Sequence, residues 1–221
     1  MKRVELEQTE LFSALGRDRL AKLRAHLELR PFAASEYLYF ETQSAQALWV
    51  VRAGMVRTFK TSAGGHVTTL ERLRPGALFG MAAAVGAARY GEGAQAVVAG
   101  EAWRVSRRLV GVLLKQEPML SRALLAIVAT RLRSAHDRLC SFAHDNVPAR
   151  LARAVLEETD GERIELTRRA LGESVGTTVE TTIRVLRGFQ REGWIEGGVG
   201  WIRVLDREAL QRVADGGSIA R

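Results

Sequence analysis

The sequence predicts an α+β chain in three parts: a β-barrel or sandwich, a long helix and a C-terminal helix-turn-helix with a hairpin. Three observations predict it. Residues 30–109 are short apolar or alternating runs punctuated by glycine and proline. Residues 118–145 carry an unbroken heptad-like seam. Residues 166–205 pair two short capped helices about Gly176 with a glycine-rich strand–turn–strand.

In chain order, Leu11, Leu15, Leu20, Leu23 and Leu27 have helical spacing, with Ser13 and Gly16 as breaks, so short N-terminal helices are expected. Strands are expected at Leu48–Val51 and Met55–Phe59 around Gly54, then at Val67–Leu70 after the Ala63-Gly64-Gly65-His66 turn. Arg74-Pro75-Gly76 turns the chain, and further strands are expected at Gln95–Val98 and Ala102–Val105.

Leu125, Val128, Leu132, Ala135, Leu139 and Phe142 then alternate steps of three and four. This seam fits a helix packed on its own barrel or a parallel dimer helix, with Arg131, Arg133, Asp137 and Arg138 off the seam. Asp145-Asn146-Val147-Pro148 ends it, placing a hinge at 144–148. The expected domains are therefore 1–117, 118–145 and 146–221. Helices are expected over 149–159, 167–175 and 178–192, then a hairpin from Trp194 to Leu205 and a fraying tail after Val213.

The net charge of +8 arises from 33 basic and 25 acidic residues in 221. Residues 1–146 hold all of the surplus, and residues 147–221 are neutral, with 12 of each sign. A nucleic-acid reading therefore has to come from local pattern rather than from the total. The surplus arginines Arg104, Arg107, Arg108, Arg131 and Arg133 are candidates for DNA flanks, a polymerase or plain solvation. A single cysteine, Cys140, excludes an internal disulfide and a cluster held by several thiolates of this chain. No secretory pattern or apolar run of about 18 residues is present, so a cytoplasmic location without membrane attachment is expected. The barrel region offers His66 alone, too few ligands for a metal-dependent barrel enzyme, so no enzymatic role is expected.

Thr167 is placed to cap a helix whose apolar face is Ala170, Leu171 and Val175. Gly176 supplies the positive φ of a tight turn. Thr177 and Glu180 have capping-box spacing for the second helix. Val179, Ile183 and Leu186 are expected in its core face, leaving Glu180, Thr181 and Arg184 outward near its N-terminal end. Such an end suits the major groove, where Glu accepts from cytosine N4 and Arg contacts guanine O6/N7. The alternative is an i,i+4 salt bridge between Glu180 and Arg184, worth a few tenths of a kcal/mol. Residues 168–191 carry a net charge of +3, which favours DNA. Glu180 and Arg184 are the expected base readers; Thr178, Thr181, Thr182, Arg168, Arg169 and Arg187 are expected on phosphates.

Over roughly residues 9–210 the chain resembles bacterial regulators of the cAMP receptor protein / fumarate-nitrate reduction regulator (CRP/FNR) superfamily. Gly54, Gly64-Gly65, Pro75-Gly76 and Phe79-Gly80 carry the barrel resemblance. Thr178-Val179-Glu180-Thr181 with Arg184 is similar to the recognition helix of the fumarate-nitrate branch, which reads a TTGA-type half-site. That branch usually has serine where this chain has Ile183. The resemblance implies a cyclic-nucleotide-binding-like barrel, a homodimer through the long helix, a winged helix-turn-helix on palindromic DNA and contact with RNA polymerase.

It also implies an effector pocket near Gly80, Met81, Arg89, Tyr90 and His136. Cyclic-nucleotide binders have a glutamate after the glycine and an Arg-Ser doublet, whereas this chain has Gly80-Met81-Ala82 and Arg89-Tyr90-Gly91. An unpaired buried phosphodiester is costly, so cAMP is disfavoured, and the cysteine count disfavours an iron–sulfur cluster. His26 or His66 is either a haem ligand or an ordinary polar side chain, and His136 either reaches the effector pocket from the long helix or is likewise an ordinary polar side chain. Cys140 is either redox-active between chains or a buried small hydrophobe. The alanine-rich 82–88 run either leaves room for an apolar ligand or forms a close-packed turn.

Overall fold

The computed structural model describes residues 3–158 and 164–216. The chain forms two compact units, one ending at Leu132 and one beginning at Arg133.

The first unit opens with single 3-10 turns at Leu6–Gln8 and Phe12–Ala14, then α1 (Arg17–Arg24). Six strands follow: β1 (Glu28–Phe32), β2 (Tyr37–Tyr39), β3 (Ala47–Thr61), β4 (Val67–Leu73), β5 (Leu78–Phe79) and β6 (Gly93–Ser106). They pair antiparallel in the order β1-β6-β3-β4, with β2 added to β6 and β5 to β3. Leu48-Trp49-Val50-Val51 is a continuous apolar run because β3 is covered on both faces. Leu48 and Val50 pack with the N-terminal turns and Trp103, while Trp49 and Val51 pack with Phe79, Tyr90 and Ala102.

Two pairs of expected strands are each one long strand. β3 continues through Gly54 and β6 through Gly100, with register shifts near Ala53 and Met55. Gly54 sits at φ +87°, and a Cβ on Gly100 would lie 2.0 Å from the Ala53 carbonyl oxygen. The bulge thus bends two continuous strands where glycine spacing suggests a break.

The strand texture extended to residue 109 also concealed α2 (Arg107–Gln116), whose N-cap Ser106 accepts from the Leu109 amide. α3 (Pro118–His144) is the long helix. Its buried positions are Leu120 and Leu124, which join the core below the N-terminal turns. The seam lies elsewhere on its surface: Leu125, Val128, Leu132, Ala135, Leu139 and Phe142 are exposed in the single chain.

The second unit contains α4 (Val147–Glu158), β7 (Ile164–Glu165), α5 (Arg168–Val175), α6 (Val179–Arg191), β8 (Ile195–Gly198), β9 (Trp201–Val204) and α7 (Arg207–Ala214). Its sheet runs β7-β9-β8, and its core gathers Leu151, Val155, Leu171, Leu186, Phe189, Ile202 and Leu210. β7 and α7 were not expected. Asp206 caps α7 through the Ala209 amide, and Ala214 is buried, so order continues past Val213. The rest of the expected fraying tail, residues 217–221, lies outside the described residues.

Candidate nucleic-acid interface

The two motif helices are set by their caps. Thr167 Oγ1 accepts from the Ala170 amide at 3.1 Å. Gly176 ends α5 in the left-handed region, at φ +64° and ψ +47°. A Cβ there would come 2.9 Å from Phe142 Cε1, so the ring at the end of α3 occupies the space a side chain would need. The Arg150 guanidinium lies 5.3 Å from that ring's centre and donates to the Val175 carbonyl at 3.1 Å. Phe142 therefore has a contact within its own chain in addition to its place on the seam.

The cap of α6 is Thr178 rather than Thr177; its hydroxyl accepts from the Thr181 amide at 3.2 Å. The core face of α6 is Thr182, Val185, Leu186 and Phe189, which corrects the expected Val179/Ile183/Leu186 face. Thr182 is consequently not a phosphate contact: it is fully buried and its hydroxyl donates to the Thr178 carbonyl at 2.9 Å. Ile183 is instead half-buried beside Glu180, Arg184, Arg187 and Arg191, and these five side chains line one surface groove.

Glu180, Arg184, Arg169 and Arg187 are exposed, Thr178 is exposed and Thr181 is half-buried. Among the described residues Glu180 and Arg184 form no ion pair with each other. Hydrogen bonds from its own backbone amide and from the Thr178 hydroxyl hold the Glu180 carboxyl below its ordinary pKa, and the charge of Arg169 adds to this. The carboxylate is thus ionised and ready to accept.

Arg168 is half-buried and donates to the Trp201 carbonyl at 3.2 Å, so its guanidinium braces the hairpin. Gln190, which sequence reasoning passed over, ties α6 to the same hairpin by donating to the Gly197 carbonyl at 3.1 Å. The hairpin glycines are structural: Cβ atoms on Gly197 and Gly198 would each lie 2.7 Å from an atom of Trp201.

Of the expected effector residues, Gly80, Met81, Arg89 and Tyr90 belong to the first unit. Gly80, at φ +70°, is closed in by Trp49, Ala47 and Tyr90. Met81 is half-buried, and exposed Arg89 donates to the Thr42 carbonyl at 2.7 Å. His136 is exposed and belongs to the second unit. The Tyr90 hydroxyl is used by its own barrel, donating to the Ala47 carbonyl at 2.7 Å and accepting from the Ala47 amide at 3.1 Å. Tyr90→Phe is therefore expected to cost roughly 1–3 kcal/mol of stability, measured by denaturant unfolding, because buried backbone groups lose a partner. An unchanged unfolding midpoint would remove that role.

The alanine-rich run is a 3-10 turn at Met81–Ala83 followed by exposed residues 85–88, clipped where Arg107 donates to the carbonyls of Gly86 and Ala87 at 2.6 and 2.7 Å. Other surplus arginines are also committed internally. Arg104 pairs with Glu28, and Arg131 donates to the Leu78 carbonyl. Cys140 is exposed, which corrects its reading as a buried hydrophobe in the single chain. His26 and His66 are exposed, and no group of three or more metal-ligating side chains occurs among the described residues.

Comparison with known proteins places this geometry. The profile of the cyclic nucleotide-binding domain matches residues 29–117, and that of the Crp-like helix-turn-helix domain matches residues 149–213. The transcriptional regulator SdrP of Thermus thermophilus is 30% identical over 176 residues, covering 75% of this chain and 82% of that protein. The chain belongs to the CRP/FNR family of transcription regulators. Like others in the family, this regulator carries a helix-turn-helix DNA-binding domain. The cyclic AMP receptor protein of T. thermophilus is 28% identical over 214 residues, covering 96% of this regulator and 99% of the relative. In fold, it matches the structure of FixK2 from Bradyrhizobium japonicum with a TM-score of 0.77 at 23% identity, covering 88% and 99% of the two chains. No helix among the described residues is long and apolar enough to cross a membrane.

Proposed function

We propose that the protein is a cytoplasmic homodimer that binds palindromic DNA with TTGA-like half-sites and does not require cAMP. The observation that carries the reading is the two-sided character of α6. One side is buried, and the other presents Glu180 and Arg184 free of each other, with Ile183 beside them and Arg187 and Arg191 along the same groove. Glu180 and Arg184 read base edges, and Ile183 offers an apolar contact to a thymine methyl. Arg169, Arg187, Thr178 and Thr181 position the helix on phosphates. Arg168 supports that surface by holding the hairpin.

The exposed apolar seam of α3 supports a homodimer, since a contiguous apolar stripe on a helix is ordinarily covered. Two-fold symmetry then sets the half-sites about one helical turn apart. The absence of a glutamate after Gly80 and of an Arg-Ser doublet supports independence from cAMP. Effector identity, haem included, is left to the purified protein's absorbance spectrum and native mass.

The test is a mobility shift on a TTGA…TCAA duplex and on a scrambled one. Arg184→Ala is expected to weaken specific binding by roughly 1–3 kcal/mol and to relax preference at one base pair. Arg169→Ala is expected to weaken both duplexes and flatten the salt slope by about one. Equal losses on both duplexes for Arg184→Ala would refute base reading. A dimer that shifts neither duplex would instead be a ligand-binding or redox-sensing adaptor with altered or lost DNA binding.

A further inference from the structure

Two arginines of α4 tie the last turns of α3 into the second unit, to which residues 133–144 of that helix already belong. Arg150 makes three attachments with one guanidinium. It donates to the Asp145 carbonyl at 2.8 Å and to the Val175 carbonyl at 3.1 Å, and it lies 5.3 Å from the centre of the Phe142 ring. Val175 is the last residue of α5, so one side chain holds both the end of the long helix and the first motif helix.

Arg153 makes a second set. It donates to the Ser141 hydroxyl at 2.7 Å, to the Asp145 carboxylate at 2.6 Å and to the carbonyl of Ala214, where α7 ends, at 2.7 Å. The Ser141 hydroxyl donates in turn to the same carboxylate at 2.7 Å. The connecting backbone is bonded as well. The Asp145 amide donates to the Ser141 carbonyl, and Asn146 accepts from the Ala149 amide, both at 2.9 Å. A swing about residues 144–148 would break these bonds together, and charge-assisted bonds from a planar fork are strong and directional.

We propose that Arg150 and Arg153 are positioning residues for DNA reading. They make residues 144–148 a clasp rather than a hinge, fixing α5 and α6 to the end of α3. Phe142 carries the seam into this clasp, since its ring lies against Gly176 and beside Arg150. The seam, and not a swinging linker, then sets the distance between the two recognition helices of a dimer. This inference rests on the homodimeric DNA reading, and neither arginine needs to touch DNA for it to hold.

The experiment measures the affinity of the full chain for TTGA…TCAA duplexes whose half-sites are moved by one and two base pairs, about 3.4 Å each. A rigid pair of helices engages both half-sites at one spacing and loses the second at the others, whereas a loosely jointed pair tolerates them all. The wild type is expected to favour one spacing by about ten-fold or more. Arg150→Lys keeps the charge but not the fork. It is expected to cut that preference to about three-fold or less, with native mass and affinity for a scrambled duplex unchanged.

A preference retained in Arg150→Lys, or a loss shared equally by every duplex, would overturn the clasp. A wild type that binds all spacings equally would overturn it while leaving the DNA reading intact. Should Arg150→Lys fail to fold, a preference retained in Arg153→Lys would overturn it. Hydrogen exchange separates the two readings. A wild type that shifts no palindrome fails the DNA reading, whereas the clasp requires slow exchange of the Asp145, Ala149 and Arg150 amides and is overturned by fast exchange there.

Discussion

Phe189→Ala is expected to destabilise the second unit by about 3–5 kcal/mol, enough to abolish DNA binding under mild warming. Phe189 has no exposed surface, and its ring lies 5.6 Å from that of Trp194, where α6 meets the start of the hairpin. Truncation removes the apolar transfer energy and leaves a cavity that α4, α5 and β8 cannot fill by small shifts. The Phe189 core and the barrel cores share no residue, so the loss should stay local. Hydrogen exchange should show faster exchange in α4, α5 and α6 with strand protection in the barrel unchanged. A loss below about 1 kcal/mol would mean that the site collapses onto itself and that the ring does not organise the unit.

Gly100→Ala should be the most damaging small substitution in the barrel. Its Cβ would lie 2.0 Å from the Ala53 carbonyl oxygen and 2.8 Å from the Gly54 Cα, both backbone atoms that cannot rotate away. The strands must part or lose their bulge, and β3 against β6 is the central pairing of the sheet. A cost of about 3 kcal/mol or more is expected from such overpacking, with loss of soluble barrel. Gly65→Ala is a useful contrast, since its added Cβ meets nothing within 4 Å, and the residual cost is backbone strain at φ +80°. Equal unfolding midpoints for the two variants would refute the close-approach argument.

What was legible in the sequence was whatever one residue type does by itself. The Gly176 turn was readable because only glycine enters the left-handed region cheaply. The seam from Leu125 to Phe142 was readable because a helix of its length repeats its pattern several times. The boundaries of α4, α5 and α6 followed within a residue or two from Pro148, Thr167 and the Thr177/Glu180 spacing, although the cap of α6 is Thr178.

What was missed depended on tertiary partners. Thr182 looks polar in the chain but is buried, because its hydroxyl folds back onto the Thr178 carbonyl and leaves a methyl for the core. That rotates the buried face of α6 and frees Ile183 for the groove. α2 was hidden by Arg107 and Arg108, whose charges interrupt its apolar pattern, although Arg107 is spent on two carbonyls. Tyr39 and Thr58 sit far apart in the sequence, and only strand register sets both opposite Ala94.

The fit of Phe142 over Gly176 has an evolutionary corollary. A side chain at 176 would need both a left-handed backbone and a vacated ring, so no single substitution there is neutral. A smaller residue at 142 would relieve only one of the two obstacles. Positions 142 and 176 are thus locked as a pair whose effects do not add, and descendants that change the turn of the helix-turn-helix should first have changed the end of the long helix.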